Sequence, residues 1–492
     1  MIFLLVALAA GASGYALLRA AGLATGRLPV DVPLAWFTGS AWVGLASFTA
    51  RGMLGIPSGA ATALTVLALP FAAWGAARRL ERGRAAGTSW GGDPGGEATA
   101  RWWPRPGWLF APMAAWTVAV ALGVTLHGLD TPVHTDDAFR IRAFAPILAA
   151  SGAWNGAARD AMAIAGPVPT YVPSLAWMLG AAVDPVHVSA SIVLTFLAML
   201  GLLVALGAER GVPEAGWGAA FAITSMPFFA YHAASTYSDA WLGMFLAAAF
   251  AFLVAHGRTA APADAGRAML LLVGAALVKR EGELLVVPVV AVLVAQVAWG
   301  GRPAWGTLRR LGLLAGSYLV AVAARVVAVG PGSAFPFLRA AAERSTAASS
   351  SPAGGSAHGA MQAAGPGAGE ILLRAIFTDG DLGLLWWVLL ASLLLLAPRL
   401  RRERLAWPLA ALALVLAETA ISAIWLYPEF TLNHGTVHRS LLPVSAAAAV
   451  WLAALLAAAT RPVTAAAPPA PPGRRGAAAR RRSRGEPRRR GG

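Results

Sequence analysis

Apolar residues in this chain run in blocks of roughly twenty, parted by short connections that carry most of the charge. Blocks of that length suit helices that cross a bilayer, and the ten-residue alternation of a membrane β-barrel does not occur. The pattern predicts an all-α fold, a polytopic transmembrane helical bundle with about 13 spanning helices and juxtamembrane helices on its outer face. The spans fall at roughly 1–18, 32–50, 56–77, 107–128, 186–207, 214–231, 237–256, 266–279, 283–299, 311–330, 382–398, 405–426 and 438–459. The first block, "MIFLLVALAAGASGYALL", has no basic segment ahead of it, so it is expected to stay as a helix and not to be cleaved as a signal peptide.

Charge in the connections sets the expected orientation. Basic stretches at 78–84, 209–211, 257–267, 309–311 and 399–405 belong in the cytoplasm by the positive-inside rule. All of them fall on one side only if "PTYVPSLAWMLGAAV", residues 169–183, does not cross. That segment is short and carries Pro167, Pro169 and Pro173 at or near its start, which predicts an interfacial or re-entrant helix at the outer face. Four regions follow: three leading transmembrane helices at 1–85, a cytoplasmic linker at 86–106, a main transmembrane bundle at 107–460 with outer loops 129–185 and 331–381, and an Arg-rich tail at 461–492.

Composition supports this picture. With 58% hydrophobic and 13% charged residues and a mean hydropathy of +0.63, the polar residues cannot cover a soluble globule of 492 residues. The net charge of +16 points first to nucleic acid, but the tail alone holds ten arginines against one glutamate. Its Pro/Ala/Arg-rich sequence predicts a disordered cytoplasmic segment near anionic membrane lipids, and no nucleic-acid partner is expected. The absence of cysteine excludes disulfides, thiolate nucleophiles and cysteine metal sites.

Charged residues at the predicted outer ends of helices are the candidate chemistry, because charge at membrane depth commonly marks a pathway or a site. "VHTDDAFRIRAF" places His134, Asp136, Asp137, Arg140 and Arg142 after the fourth span, and "STYSDAWLG" places Asp239 at the start of another. Asp136 or Asp137 suits a general base held at the membrane surface. Asp239 equally suits a helix cap. "LVKREGE" holds Lys279, the only lysine in the chain, with Arg280, Glu281 and Glu283. These four can pair among themselves while the cations reach the headgroups, or they can form a cationic phosphate site. "NHGTVHRSLLP" adds His434, His438 and Arg439, and Arg325 stands near the end of the tenth span. No phosphate-cradling glycine loop and no HExxH motif are present. A divalent metal on His134, Asp136 and Asp239 remains a weaker option.

In this order the motifs resemble the GT-C membrane glycosyltransferases, in the bacterial branch that includes protein mannosyltransferase and aminoarabinose transferase relatives. "HTDDAFRIRAF" resembles their acidic first outer loop, and "GPVPTYVPSLAWMLGAAV" the proline-led juxtamembrane helix. "TYSDAWLGMFLA" resembles their second acidic motif, "GAALVKREGELLVVP" their lysine turn, and "HRSLLPV" the Arg and Pro of a late helix. The resemblance implies a GT-C-like enzyme of the cell membrane that moves a sugar from a polyprenyl-phosphate donor to a glycan, lipid or protein hydroxyl at the outer face. It implies Asp136 or Asp137 as base, Asp239 as a supporting acid, and Lys279 and Arg439 as phosphate ligands. Arg140, Arg280, Glu281 and His438 are further substrate-binding candidates. A transporter or flippase of lipid-linked sugars and an O-antigen ligase or polymerase are the alternatives.

Overall fold

The computed structural model describes residues 2–83, 102–104, 107–130, 166–182, 184, 186–235, 237–299, 304–330, 367–423 and 434–460. Among these residues the chain is helical and contains no strand. The helices are α1 Ile2–Ala20, α2 Leu28–Phe48 with a π-turn at Thr49–Met53, α3 Gly59–Gly83, α4 Gly107–Asp130, α5 Pro167–Met178, α6 Val186–Glu209, α7 Pro213–Thr224 and α8 Pro227–Ala234. They continue as α9 Ser238–Thr259, α10 Pro262–Ala276, α11 Arg280–Ala298, α12 Ala304–Val329, α13 Ala368–Phe377, α14 Leu385–Arg402, α15 Ala406–Ile421 and α16 His434–Thr460.

Proline punctuates this order. It occupies the first turn of α2, α5, α7, α8 and α10, where its missing N–H has no intrahelical acceptor to lose. Pro227 also explains a departure from the expected single span at 214–231, because the chain breaks at Ser225 and Met226 into α7 and α8. Among the described residues eight helices (α1, α3, α4, α6, α9, α11, α12 and α16) are long and apolar enough to cross a membrane, as expected of a multi-pass membrane protein. The rest of the thirteen expected spans are shorter or more polar. Helix α2, for example, carries Asp31, Pro33 and a Thr-Gly-Ser run, and α10 has only 15 residues.

The apolar stretch of α9 is wholly buried, and α9 packs against α16, α10 and α6 at the centre. Lipid tails are as apolar as leucine, so close packing of small residues holds membrane helices together better than hydrophobicity does. The alanine runs 247–249 in α9 and 446–449 in α16 are fully buried and let the backbones approach. Helices α1 and α2 cross still more closely: a Cβ on Gly14 would strike the Ala35 carbonyl, and one on Gly39 the Ala10 carbonyl. Leu4, Leu8, Leu126, Leu313, Leu394 and Leu395 remain on the exterior, as a lipid-facing belt requires.

The leading helices join this core directly. Thr195 of α6 accepts hydrogen bonds from the indoles of Trp36 in α2 at 3.0 Å and Trp241 in α9 at 2.9 Å. Its own hydroxyl donates to the Ser191 carbonyl at 2.8 Å. Of the two expected placements, interfacial or re-entrant, the packing of helix α5 favours the second, because every one of its 12 residues is buried and it packs against α2 and α6. The amides of Gly166 and Val168 at its start donate to the carbonyls of Val278 (2.8 Å) and Leu277 (3.1 Å).

Charges divide between the two ends of the bundle. At one end, here the arginine pole, Arg210 pairs with Asp264 at 2.9 Å, Arg267 pairs with the same carboxylate at 2.8 Å, and Arg258 lies 3.8 Å from Glu403. Arg399 caps the end of α16 at the Ala458 carbonyl, at 2.6 Å. Most of the basic connections expected on a single side thus meet there. The opposite end carries Asp239, Lys279 and Arg439.

Candidate functional site

Three helix starts converge at this second pole. Asp239 lies in the first turn of α9, Lys279 immediately precedes α11, and Arg439 is in the second turn of α16. Helix N-termini carry partial positive charge, so each of these three starts favours an anion beside it. Lys279 is held in extended backbone, φ −156° and ψ 157°. The α5 bridge to Leu277 and Val278 fixes the strand-like segment just before it. Gly166 is required for that contact, since a Cβ there would collide with the Leu277 carbonyl.

The side chains form one ion cluster. Lys279 Nζ donates to Asp239 Oδ1 at 2.9 Å, and Arg439 donates from Nε and Nη2 to Asp239 Oδ2, each at 3.1 Å. The Arg439 guanidinium lies 4.5 Å from the centre of the Tyr237 ring. Asp239 and Lys279 are only 5% and 8% exposed, so the pair is shielded from solvent screening.

Local readings of these residues do not hold. Asp239 is no helix cap, because Tyr237 takes the N-cap position of α9 without a side-chain capping bond and both Asp239 oxygens face cations. Lys279 is buried against Asp239 and does not reach out as an interfacial anchor. Glu281 lies 3.9 Å from Lys279 and is partly exposed. Glu283 pairs instead with Arg325 of α12 at 2.7 Å, which gives Arg325 a partner inside the bundle. The side chain of Arg280 lies outside the described residues. So do His134, Asp136, Asp137 and Arg140, the expected base and its neighbours.

His438, one residue before Arg439, sits between two carboxylates. Its Nε2 is 3.0 Å from Asp379 and its Nδ1 is 2.7 Å from Asp381. Phe228 lies against the same ring with centroids 5.7 Å apart, and His232 links Phe228 to Tyr237. Asp379, Asp381, Tyr237 and His232 were not among the expected site residues. The available signal was "TDGDLG", an acidic turn that closes the long outer loop. Among the described residues no group of three His, Asp or Glu is arranged to hold a metal ion. The cations on Asp239 also make it a poor third ligand for one.

Comparison of the chain with family models, curated proteins and solved structures gives no match in any of the three. Lys279, Arg439 and Asp239 together carry one net positive charge, and the partly exposed Glu281 lies 3.9 Å from Lys279. A phosphodiester carries one negative charge, and the two cations already share an oxyanion in a geometry a phosphate oxygen can adopt.

Proposed function

We propose that this chain is an integral membrane glycosyltransferase of the GT-C type, moving a sugar from a polyprenyl-phosphate donor to a hydroxyl acceptor at the pole that bears Lys279. The observation that supports this reading most is the meeting of Asp239, Lys279 and Arg439 at 2.9 and 3.1 Å, from helices distant in sequence. Each of the three belongs to a separate motif of the resemblance.

In this reading the acceptor oxygen attacks the sugar C1 and forms the new glycosidic bond. The bond from C1 to the lipid phosphate breaks, and its electron pair leaves on the phosphate. Negative charge on the phosphate grows as the bond breaks, and Lys279 and Arg439 stabilise that growth. Asp239 holds both cations in place and keeps their charge tolerable while the donor is absent. A carboxylate takes the acceptor proton, and Asp136 and Asp137 are the candidates. The phosphate is a good leaving group, which accounts for two cations where a second proton donor would otherwise be needed.

The test supplies membranes containing the chain with a panel of polyprenyl-phosphate hexoses and pentoses and follows loss of donor. Wild type is expected to consume at least one member. Lys279→Met is expected to lower kcat/KM by about 10²-fold or more, and Lys279→Arg to restore it in part. Absence of turnover across the panel, or unchanged turnover in Lys279→Met, refutes the reading.

A further inference from the structure

Helix α15 holds a single charged residue, Glu418, within the apolar run "LALVLAETAI". The helix leaves the arginine pole at Ala406 and ends at Ile421, so Glu418 stands about one turn before its far end. Helix α15 packs against α11, α16 and α9, and its buried residues are Pro408, Ala411, Leu412, Val415 and Thr419. Glu418 follows Ala411 and Val415 by seven and three positions, which puts it on the flank of that packed face. Leu414 and Ile421 flank it on the other side and are exposed on the exterior. The carboxyl therefore lies half-buried at the seam between helix packing and lipid.

Neither side of the seam supplies a partner. Its Oε2 is buried without a hydrogen bond, and no charge from the described residues acts on the carboxyl. Charged groups on the helices packed against α15 have their own partners. On α11, Glu283 pairs with Arg325 and Glu281 lies near Lys279. On α16, His438 sits between Asp379 and Asp381, and Arg439 binds Asp239 of α9. At the other end of α9, His256 meets the Ala261 carbonyl and Arg258 the Ala454 carbonyl. The side chains of Arg280 and His434 lie outside the described residues. Fully buried acids elsewhere differ from Glu418. Asp31 accepts from the amides of Thr25 and Gly26, and Asp239, Asp264 and Glu283 each meet a cation. An ionised carboxylate with neither donor nor cation in apolar surroundings is costly enough that the group keeps its proton.

We propose that Glu418 is a proton-binding site inside the membrane, an uncharged carboxylic acid while α15 is docked that releases its proton only where α15 parts from its neighbours and meets water. The ionised form opposes redocking, so the seating of this helix is tied to proton supply. The site is separate from the Lys279 cluster and does not rest on glycosyl transfer.

The test treats membranes containing the full chain with dicyclohexylcarbodiimide, which dissolves in lipid and reacts with protonated carboxyls. The acid proton passes to one carbodiimide nitrogen, and the carboxyl oxygen bonds to the central carbon as a C=N π bond opens. Acyl transfer from that oxygen to nitrogen then leaves a stable N-acylurea, with no group lost. Peptide mass spectrometry is expected to find this adduct on Glu418 at least about tenfold above Asp239, Asp264 or Glu283. A charged, water-soluble carbodiimide is expected to label the exposed Glu370 and to leave Glu418 unmodified. Glu418→Gln, whose amide matches the uncharged acid in shape, is expected to unfold in detergent at the wild-type temperature. Labelling of Glu418 no greater than that of the paired acids overturns the proposal. So does labelling by the water-soluble reagent equal to that of Glu370, or a clear loss of thermal stability in Glu418→Gln, because either would mean an ionised carboxylate.

Discussion

Asp239 carries an asymmetric role among its neighbours. Removing it takes away the carboxylate that Lys279 and Arg439 share and leaves the two cations at close range, with the partly exposed Glu281 3.9 Å from Lys279, whereas removing Lys279 leaves Asp239 still bound by both prongs of Arg439. Breaking a buried ion pair from one side typically costs about 3–5 kcal/mol. Asp239→Ala is therefore expected to lose about that much stability and Lys279→Met distinctly less, as read by unfolding in detergent; the reverse order contradicts the geometry. Lys279 was legible in the sequence because no other lysine exists, and Asp239 because it opens a helix. Their contact was not, since they stand 40 positions apart and Glu281 and Glu283 offered nearer partners. Asp379 and Asp381 were hidden for the same reason, as the ring they flank is 59 positions from Asp379 and belongs to another motif.

At the scale of elements, α2, α6 and α9 depend on one hydroxyl. Thr195 uses its single donor on Ser191 and both acceptor sites on Trp36 and Trp241, so its capacity is full. Thr195→Val keeps the shape and orphans two buried indole N–H groups. It is expected to reduce stability by roughly 1–3 kcal/mol, measurable as a lower unfolding temperature without change in helix content. Unaltered unfolding would show that water or another acceptor replaces the threonine. Each apolar block of the sequence meets a helix in the structure, because length and hydropathy are local properties. The break before Pro227 and the burial of α5 were not legible. The first depends on one proline among several that are tolerated, as Pro33 is within α2. The second depends on partners elsewhere in the chain.

For the whole molecule, the division into an arginine pole and a Lys279 pole implies opposite membrane sides. A reporter inserted after Arg210 is expected to behave as cytoplasmic and one inserted at Asp381 as external; identical behaviour at the two sites would break the alternation of the spans. The same architecture has a consequence for synthesis. Helix α5 is too short to be recognised as a span, and the carbonyls that bridge to its first residues belong to Leu277 and Val278, on the order of a hundred residues later. At ~5–20 residues per second, the ribosome takes on the order of ten seconds to deliver them. Throughout that interval α5 has its packing partners α2 and then α6 but not the two carbonyls that accept from its first amides. The Lys279 pole is thus assembled late, and a chain stalled before position 277 would hold α5 against α2 and α6 with the amides of Gly166 and Val168 still lacking their carbonyl partners.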